Sequence, residues 1–299
     1  MSPAETVAET LKSRRNILLL NHEAPDGDCL GSTLALAKAL WARGQRATVG
    51  SSDGVPEMYR FLPSIDRVVT AIPEGETFDT VVFMECSVPE RAGRLAAHAA
   101  GVPLRVNIDH HVSNTGYGDL VLWDVDAAAV AEVVYPIVRI LHPRPDADTA
   151  TCLLTALMTD TGSFHYTSVT PRSFQLAAEL MGAGASPAGV FRQVYENRSA
   201  ASVRLLGRAL SGLTLSDDGR VAWTSVTQAM LRETGAAMEE EGIHVSLRGM
   251  GGVRAHVIAE AMGGGGHAAA AGFTAKAPLD EVIRRTLTVV RRELGAAAP

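Results

Sequence analysis

No stretch of this chain has the length and uninterrupted apolarity of a membrane span, and the opening MSPAETVAETLKSRRN lacks the apolar run of a secretory signal. A cytoplasmic protein with no membrane partner is expected. Cysteine is scarce: Cys29, Cys86 and Cys152 are the only three, too few for a disulfide scaffold and without the spacing of a zinc knuckle. Positive charge is not in surplus either, since 27 basic side chains stand against 33 acidic ones for a formal charge of −6. That balance excludes a broad phosphate-binding surface for long duplex nucleic acid. A short anionic substrate stays within reach, because metals and a few arginines can supply a local positive site. No repeat period stands out.

With 46% hydrophobic and 20% charged residues over 299 positions, the composition is that of a soluble globular protein long enough for two cores. NILLL at 16–20 predicts a buried strand, and GSTLALAKALWARG at 31–44 the helix that follows it. RATVG (46–50), RVVT (67–70), TVVFM (80–84) and LRVNI (104–108) add short apolar runs separated by helical or turn-rich segments. This is the pattern of a mostly parallel sheet flanked by helices. After residue 125 the pattern turns helical, and from Arg220 RVAWTSV, IHVSLRG, RAHVIAEAM and AAAAGFTA, closed by a helix at about 278–295, predict a smaller unit. The expected architecture is two-domain α/β: residues 12–190, a helical linker at 191–218, and a second α/β domain at 219–297. GGGGH at 263–267 lies between a helix and a strand of that second domain, where it either brings backbone close to a ligand or closes a tight turn.

Four segments end an apolar run in acids or histidines: NHEAPDGD (21–28), FMEC (83–86), NIDHH (107–111) and TDTGSF (159–164). In a parallel sheet such strand ends meet at the carboxyl edge. Taken singly, His22 reads as a strand-end histidine, Asp28 and Asp160 as caps, and Asp109 as an acid that orients a neighbour. Glu85 resists such a reading, because an unpaired buried carboxylate is costly. Together the residues fit a two-metal centre: His22 and Asp26 serve one ion, Asp28, His110 and Asp160 the other, and Glu85 bridges them. Mixed carboxylate and imidazole ligation suits two Mn²⁺ ions, with Co²⁺, Zn²⁺ or Mg²⁺ as weaker fits. Cys29 and Cys86 flank ligands and are expected to pack.

The motifs NHEAPDGDCLGS, NIDHH, TALMTDTGSF and GGGGHAAAAG, in that order, resemble those of the DHH/DHHA1 phosphoesterases over almost the whole chain. The resemblance implies the same division of ligands between two manganese ions. It also implies catalytic roles for Asp109, which orients a histidine, and for His111, which approaches phosphate or the leaving oxygen. Substrate contacts are implied for the glycine-rich loop, Gly264, Gly265, Gly266 and His267. Arg248, at a strand end, is expected to fork a phosphate, and Asn114, in the loop after the DHH triplet, to face the substrate. One position departs from the family, which has aspartate at the bridge where this chain has Glu85. SLRG also replaces the common SLRS, which removes a hydroxyl beside Arg248.

The activity expected from the resemblance is hydrolysis of short single-stranded oligoribonucleotides, dinucleotides such as pApA and pGpG among them, to nucleoside 5′-monophosphates. The 3′-phosphate of 3′-phosphoadenosine-5′-phosphate (pAp) would enter the same site to leave AMP. A family-II inorganic pyrophosphatase shares the first-domain ligands but has a different, basic second domain. A binding-only module is the alternative that Glu85 keeps open. Apolar helical faces fit either a homodimer or packing within the chain.

Overall fold

Short runs of Ile, Leu, Val and Phe without polar alternation make strands buried on both faces, and these set the centre of the first unit. In the computed structural model, which describes residues 1–236, 242–266 and 269–296, six strands pair in parallel. They are β1 (Asn16–Asn21), β2 (Arg46–Gly50), β3 (Val68–Val69), β4 (Thr80–Met84), β5 (Arg105–Asp109) and β6 (Leu120–Trp123), in the order β3-β2-β1-β4-β5-β6. The chain winds outward in one direction from β1 and in the other from β4, so the β1/β4 junction is the switch point where such sheets open a ligand crevice. The register pairs Asn21 with Met84 and Met84 with Ile108, which lines up the residues just beyond each strand. Leu18, Leu20, Val81 and Phe83 share one apolar cluster with Ile72 and Leu95.

Helices α1 (Pro3–Lys12), α2 (Gly27–Ala42), α3 (Val130–Leu141) and α4 (Ala147–Asp160) complete the core of this unit, followed by α5 (Pro171–Gly182) and α6 (Pro187–Phe191). Helix α2 starts four residues before the expected Gly31, because the Asp26 side chain caps it by accepting the Cys29 N–H at 2.9 Å. Its residues from Gly27 to Ala37 are all buried. Gly31 sits against α4 so closely that a Cβ there would collide with the Cys152 carbonyl and lie 3.0 Å from the Ala156 Cβ. This contact seats α2 against the middle of α4, and a Cβ at Gly27 would meet the Thr159 side chain, which sets the first turn of α2 beside the last turn of α4.

The second compact unit runs from Tyr195, and its first helix is α7 (Ala200–Ser211). RVAWTSV contributes only β8 (Ala222–Trp223), paired with β7 (Thr214–Leu215) in a hairpin apart from the main sheet of this unit. After α8 (Gln228–Thr234) come β9 (Ile243–Arg248), α9 (Ala255–Glu260), β10 (Gly265–Gly266), β11 (Ala270–Ala275) and α10 (Leu279–Ala296). The three strands form an antiparallel sheet in the order β10-β11-β9. Ala255 and Ala259 pack on Ala271, and Ile258 packs on Val290 and Leu294 of α10. Among the described residues no helix is long and apolar enough to cross a membrane.

Candidate metal centre

The ends of β1, β4 and β5 deliver His22, Glu85 and the Asp109-His110-His111 triplet to one sheet edge, and α2 and α4 add Asp26, Asp28 and Asp160. His22 donates Nδ1–H to the Glu23 carbonyl at 2.7 Å and His110 donates to the Ala127 carbonyl at 3.0 Å. Each imidazole thus turns Nε2 inward as a lone-pair donor, the arrangement by which proteins orient metal-binding histidines. Glu85 reaches both rings: Oε1 lies 3.2 Å from His110 Nε2 and Oε2 lies 3.9 Å from His22 Nε2. Its two oxygens face two different histidines, as a bridging carboxylate requires. The residue holds this position with φ of 55°, a left-handed conformation that costs a glutamate roughly 1–2 kcal/mol.

Asp160 Oδ2 is 3.4 Å from His110 Nε2, and Asp28 Oδ2 is 4.0 Å from the same atom. Asp26 Oδ1 is 3.9 Å from His22 Nε2 while also capping α2. Asp28 does not cap its own helix. It docks onto the start of α3, where Val130 N–H donates to Oδ2 at 2.6 Å and Ala131 N–H to Oδ1 at 3.1 Å, and Ser32 Oγ adds a bond of 3.0 Å to Oδ1. Of the roughly four lone-pair directions of a carboxylate, these three donors leave one, on the oxygen that faces His110.

The electrostatics of the cluster call for cations. Burial, then repulsion from Asp160, raises the Asp28 carboxyl well above its ordinary range, and burial with Asp28 and Asp26 does the same to Glu85. Burial lifts Asp160 to about 6, with Asp26 adding to the rise and His110 opposing it. Asp160 also stands at the carboxyl end of α4, the negative pole of the helix. Burial holds His22 down and hence neutral, the form that ligates. Glu85 Oε2 is buried and makes no hydrogen bond. Among the described residues three ligand sets have their donor atoms within 4.8 Å of one another: His22, Cys29 and Glu85; Glu85, His110 and His111; Asp28, His110 and Asp160. Divalent ions fit these residues, because they would relieve the mutual repulsion and satisfy the orphaned oxygen.

Asp109 stands behind the cluster rather than in it. Its Oδ1 accepts the backbone N–H groups of His110 at 2.7 Å and His111 at 3.0 Å, together with His111 Nδ1–H at 2.8 Å. Burial alone would raise this acid, but the bonds from His111 and from Asn114 outweigh it and hold it at about 2. The His111 ring is thereby anchored through Nδ1. Asn114, expected at the substrate, is instead buried: its amide donates to Asp109 Oδ2 and to Asn107 Oδ1, and its oxygen accepts the Gly116 N–H. A polar loop residue after a DHH triplet gives no sign of which way it turns. Trp123, which no motif marks, donates its indole N–H to the His111 carbonyl at 2.8 Å. The thiols of Cys29 and Cys86 both donate to the Met84 carbonyl, and burial first, then Glu85, holds the Cys29 thiol protonated.

In the second unit Arg248 is exposed at the end of β9 and donates to Ser246 Oγ and the Leu247 carbonyl. The glycine run is occupied with sheet packing at two positions. A Cβ at Gly264 would collide with the Gly272 carbonyl, and one at Gly266 would lie 2.7 Å from the Ala270 carbonyl. Gly265 meets nothing within 4 Å and has room for an incoming group. His267 lies outside the described residues.

Residues 16–160 match the DHH family N-terminal domain and residues 226–296 match the DHHA1 domain. The bifunctional oligoribonuclease and PAP phosphatase NrnA of Thermus thermophilus is 35% identical over 97% of this chain and 94% of its own length. NrnA of Bacillus subtilis is 27% identical over 83% of this chain and 79% of its own. Among solved structures, an exopolyphosphatase-related protein from Bacteroides fragilis superposes with a TM-score of 0.89 at 20% identity, covering 99% of this chain and 97% of that one, which is a likeness of fold.

Proposed function

The chain belongs to the DHH family and carries a DHHA1 domain, and from that premise we propose that it is a two-metal phosphoesterase of the cytoplasm. Its substrates are short oligoribonucleotides, including pApA- and pGpG-like dinucleotides, cut to nucleoside 5′-monophosphates, and pAp, cut to AMP and phosphate. The observation that carries this reading is Glu85, whose two oxygens face the two inward-turned histidines with one of them buried and unbonded. Two Mn²⁺ ions match the oxygen and imidazole donors, and when bound they supply Lewis acidity toward phosphate and lower the pKa of the attacking water.

His22 and Asp26 would hold one ion, Asp28, His110 and Asp160 the other, and Glu85, facing both histidines, would serve both. His111, locked by Asp109, presents Nε2 to a phosphate oxygen or to the departing oxygen and can pass it a proton. Asp109 is a positioning residue, and Asn114 acts through it. In the DHHA1 domain, proposed to span 219–297 after a DHH domain at 12–190, Arg248, Gly265 and His267 hold the phosphate end of the substrate. The first test is to incubate metal-free protein, reconstituted with Mn²⁺, with equal concentrations of pApA, pAp and pyrophosphate, and to follow products by chromatography. Formation of AMP without comparable pyrophosphate loss supports the reading; rapid pyrophosphate loss without nucleotide hydrolysis overturns it in favour of a pyrophosphatase.

A further inference from the structure

The segment that follows Asp160 is built to display aromatic rings. Gly162, Ser163 and Phe164 all adopt left-handed backbone conformations, with φ of 54°, 57° and 68°, and two of the three are not glycine. The turn is held by Ser163 N–H on the Met158 carbonyl at 2.7 Å, Phe164 N–H on Thr161 Oγ at 3.1 Å and His165 N–H on the Thr161 carbonyl at 2.9 Å. Strained backbone over-determined by hydrogen bonds is the mark of a functional segment. Its product is a stack: the Phe164 and Phe174 rings lie 5.2 Å apart at 20°, and Phe174, on α5, is 57% exposed. Packing does not demand this, because the buried face of α5 is Ser173, Leu176, Ala177 and Leu180.

The stack is tied to the metal centre from two sides. Phe164 follows Asp160 by four residues, a span of at most ~14 Å even when fully extended. Arg172, two residues before Phe174, donates to Asp124 Oδ2 at 2.6 Å and to the Glu132 carbonyl at 2.8 Å. Asp124 directly follows Trp123, whose indole is bonded to the His111 carbonyl. Ser163 Oγ, inside the turn, is buried and makes no hydrogen bond.

We propose that the Phe164–Phe174 pair is a stacking platform for the nucleobase of the nucleotide whose phosphoester lies at the metal centre, with Phe174 presenting the open ring. This rests on the proposed nucleotide phosphoesterase activity. Stacking is tolerant of base identity because every base has a π-face, which suits an enzyme that takes many short sequences. Purines, with the larger face, are held more tightly than pyrimidines.

The test uses the full chain loaded with metal and Phe174→Ala, a change at an exposed ring that leaves the core intact, with Met181→Ala, exposed on the same helix, as control. Binding of 2-aminopurine riboside 5′-monophosphate is followed by quenching of its fluorescence, which needs no turnover. The wild-type protein is expected to quench it. Phe174→Ala is expected to lose the quenching and to raise Kd by roughly five- to a hundred-fold, the range that base–aromatic stacking supports. Met181→Ala is expected to leave both unchanged. In turnover, KM for pAp rises by a similar factor with kcat held, while ribose 3,5-bisphosphate, which lacks the base, responds equally to both proteins. Unchanged quenching in Phe174→Ala, or an equal loss with the base-free substrate, overturns the platform. Absent hydrolysis of all nucleotides by the wild type overturns the proposed activity instead, and the quenching still decides the platform.

Discussion

Replacing Asp160 with asparagine should stabilise the metal-free protein and cripple the loaded one. Burial raises this carboxyl from an ordinary 3.8 to about 6. A group whose pKa is raised by folding stabilises the fold while it is protonated, and that contribution is lost as pH rises through the folded value. A rise of that size corresponds to roughly 3 kcal/mol of instability in the metal-free wild type above pH 6. Asparagine has the same shape and no proton to lose, and it also removes the repulsion that Asp160 exerts on Asp28 and Glu85. The melting temperatures of the chelated proteins should therefore converge only below the ordinary 3.8 and separate as pH rises toward 6. By pH 7.5 Asp160→Asn should melt about 6–12 °C higher, taking 2–4 °C per kcal/mol for a unit of this size. Saturating Mn²⁺ should reverse the order, since the variant has lost a ligand. Scanning calorimetry with and without chelator reads all of this. Equal melting temperatures for the two metal-free proteins from pH 5 to 7.5 would refute the view that repulsion and burial at Asp160 are held in reserve for a cation.

Three further outcomes rest on the same geometry. Glu85→Ala should bind one ion in place of two by elemental analysis and lose hydrolysis, whereas Glu85→Asp should keep both ions and lie within about tenfold of wild-type kcat, because the left-handed site accepts aspartate readily. Gly31→Ala should cost about 1–3 kcal/mol in urea unfolding by forcing α2 off the Cys152 carbonyl, and should weaken Mn²⁺ binding by moving Asp28 away from Asp160. Asp109→Asn should lower kcat by about a hundredfold or more with KM little changed, as expected when a proton-transfer histidine loses its orientation; an intact kcat would remove His111 from the chemistry.

The parallel sheet and the six proposed ligands are legible in the sequence because two rules act together. Uninterrupted apolar runs give buried parallel strands, and such strands carry the residues at their carboxyl ends to one edge. His22, Glu85 and His110 need only that much. Side-chain direction is less legible. Asn114 turns inward because two buried acceptors, Asp109 and Asn107, need its amide, and that need exists only once β5 and its loop are folded together. Trp123 enters the site through the parallel register that sets it opposite Asp109, a long-range pairing with no local signature. The apolar run places the start of α2 at Gly31, whereas the Asp26 cap decides it. The glycine run suggests ligand contacts at Gly264 and Gly266, although the close approach of β10 to β11 already accounts for the missing side chains.

Asp28 spans 102 residues of sequence to receive the first N–H of α3 while its remaining lone pair faces His110. A single carboxylate thus belongs both to a proposed ligand shell and to the nucleus of a helix turn. Its occupancy cannot be changed without loading or unloading the end of that helix. A calorimetric titration of the metal-free protein should then report more than ligand exchange: it should carry the negative heat-capacity change of a segment that tightens as the ion arrives. Hydrogen exchange at Val130 and Ala131 should slow in step with it. Affinity at this site is, in that sense, partly a measure of how well a distant helix begins.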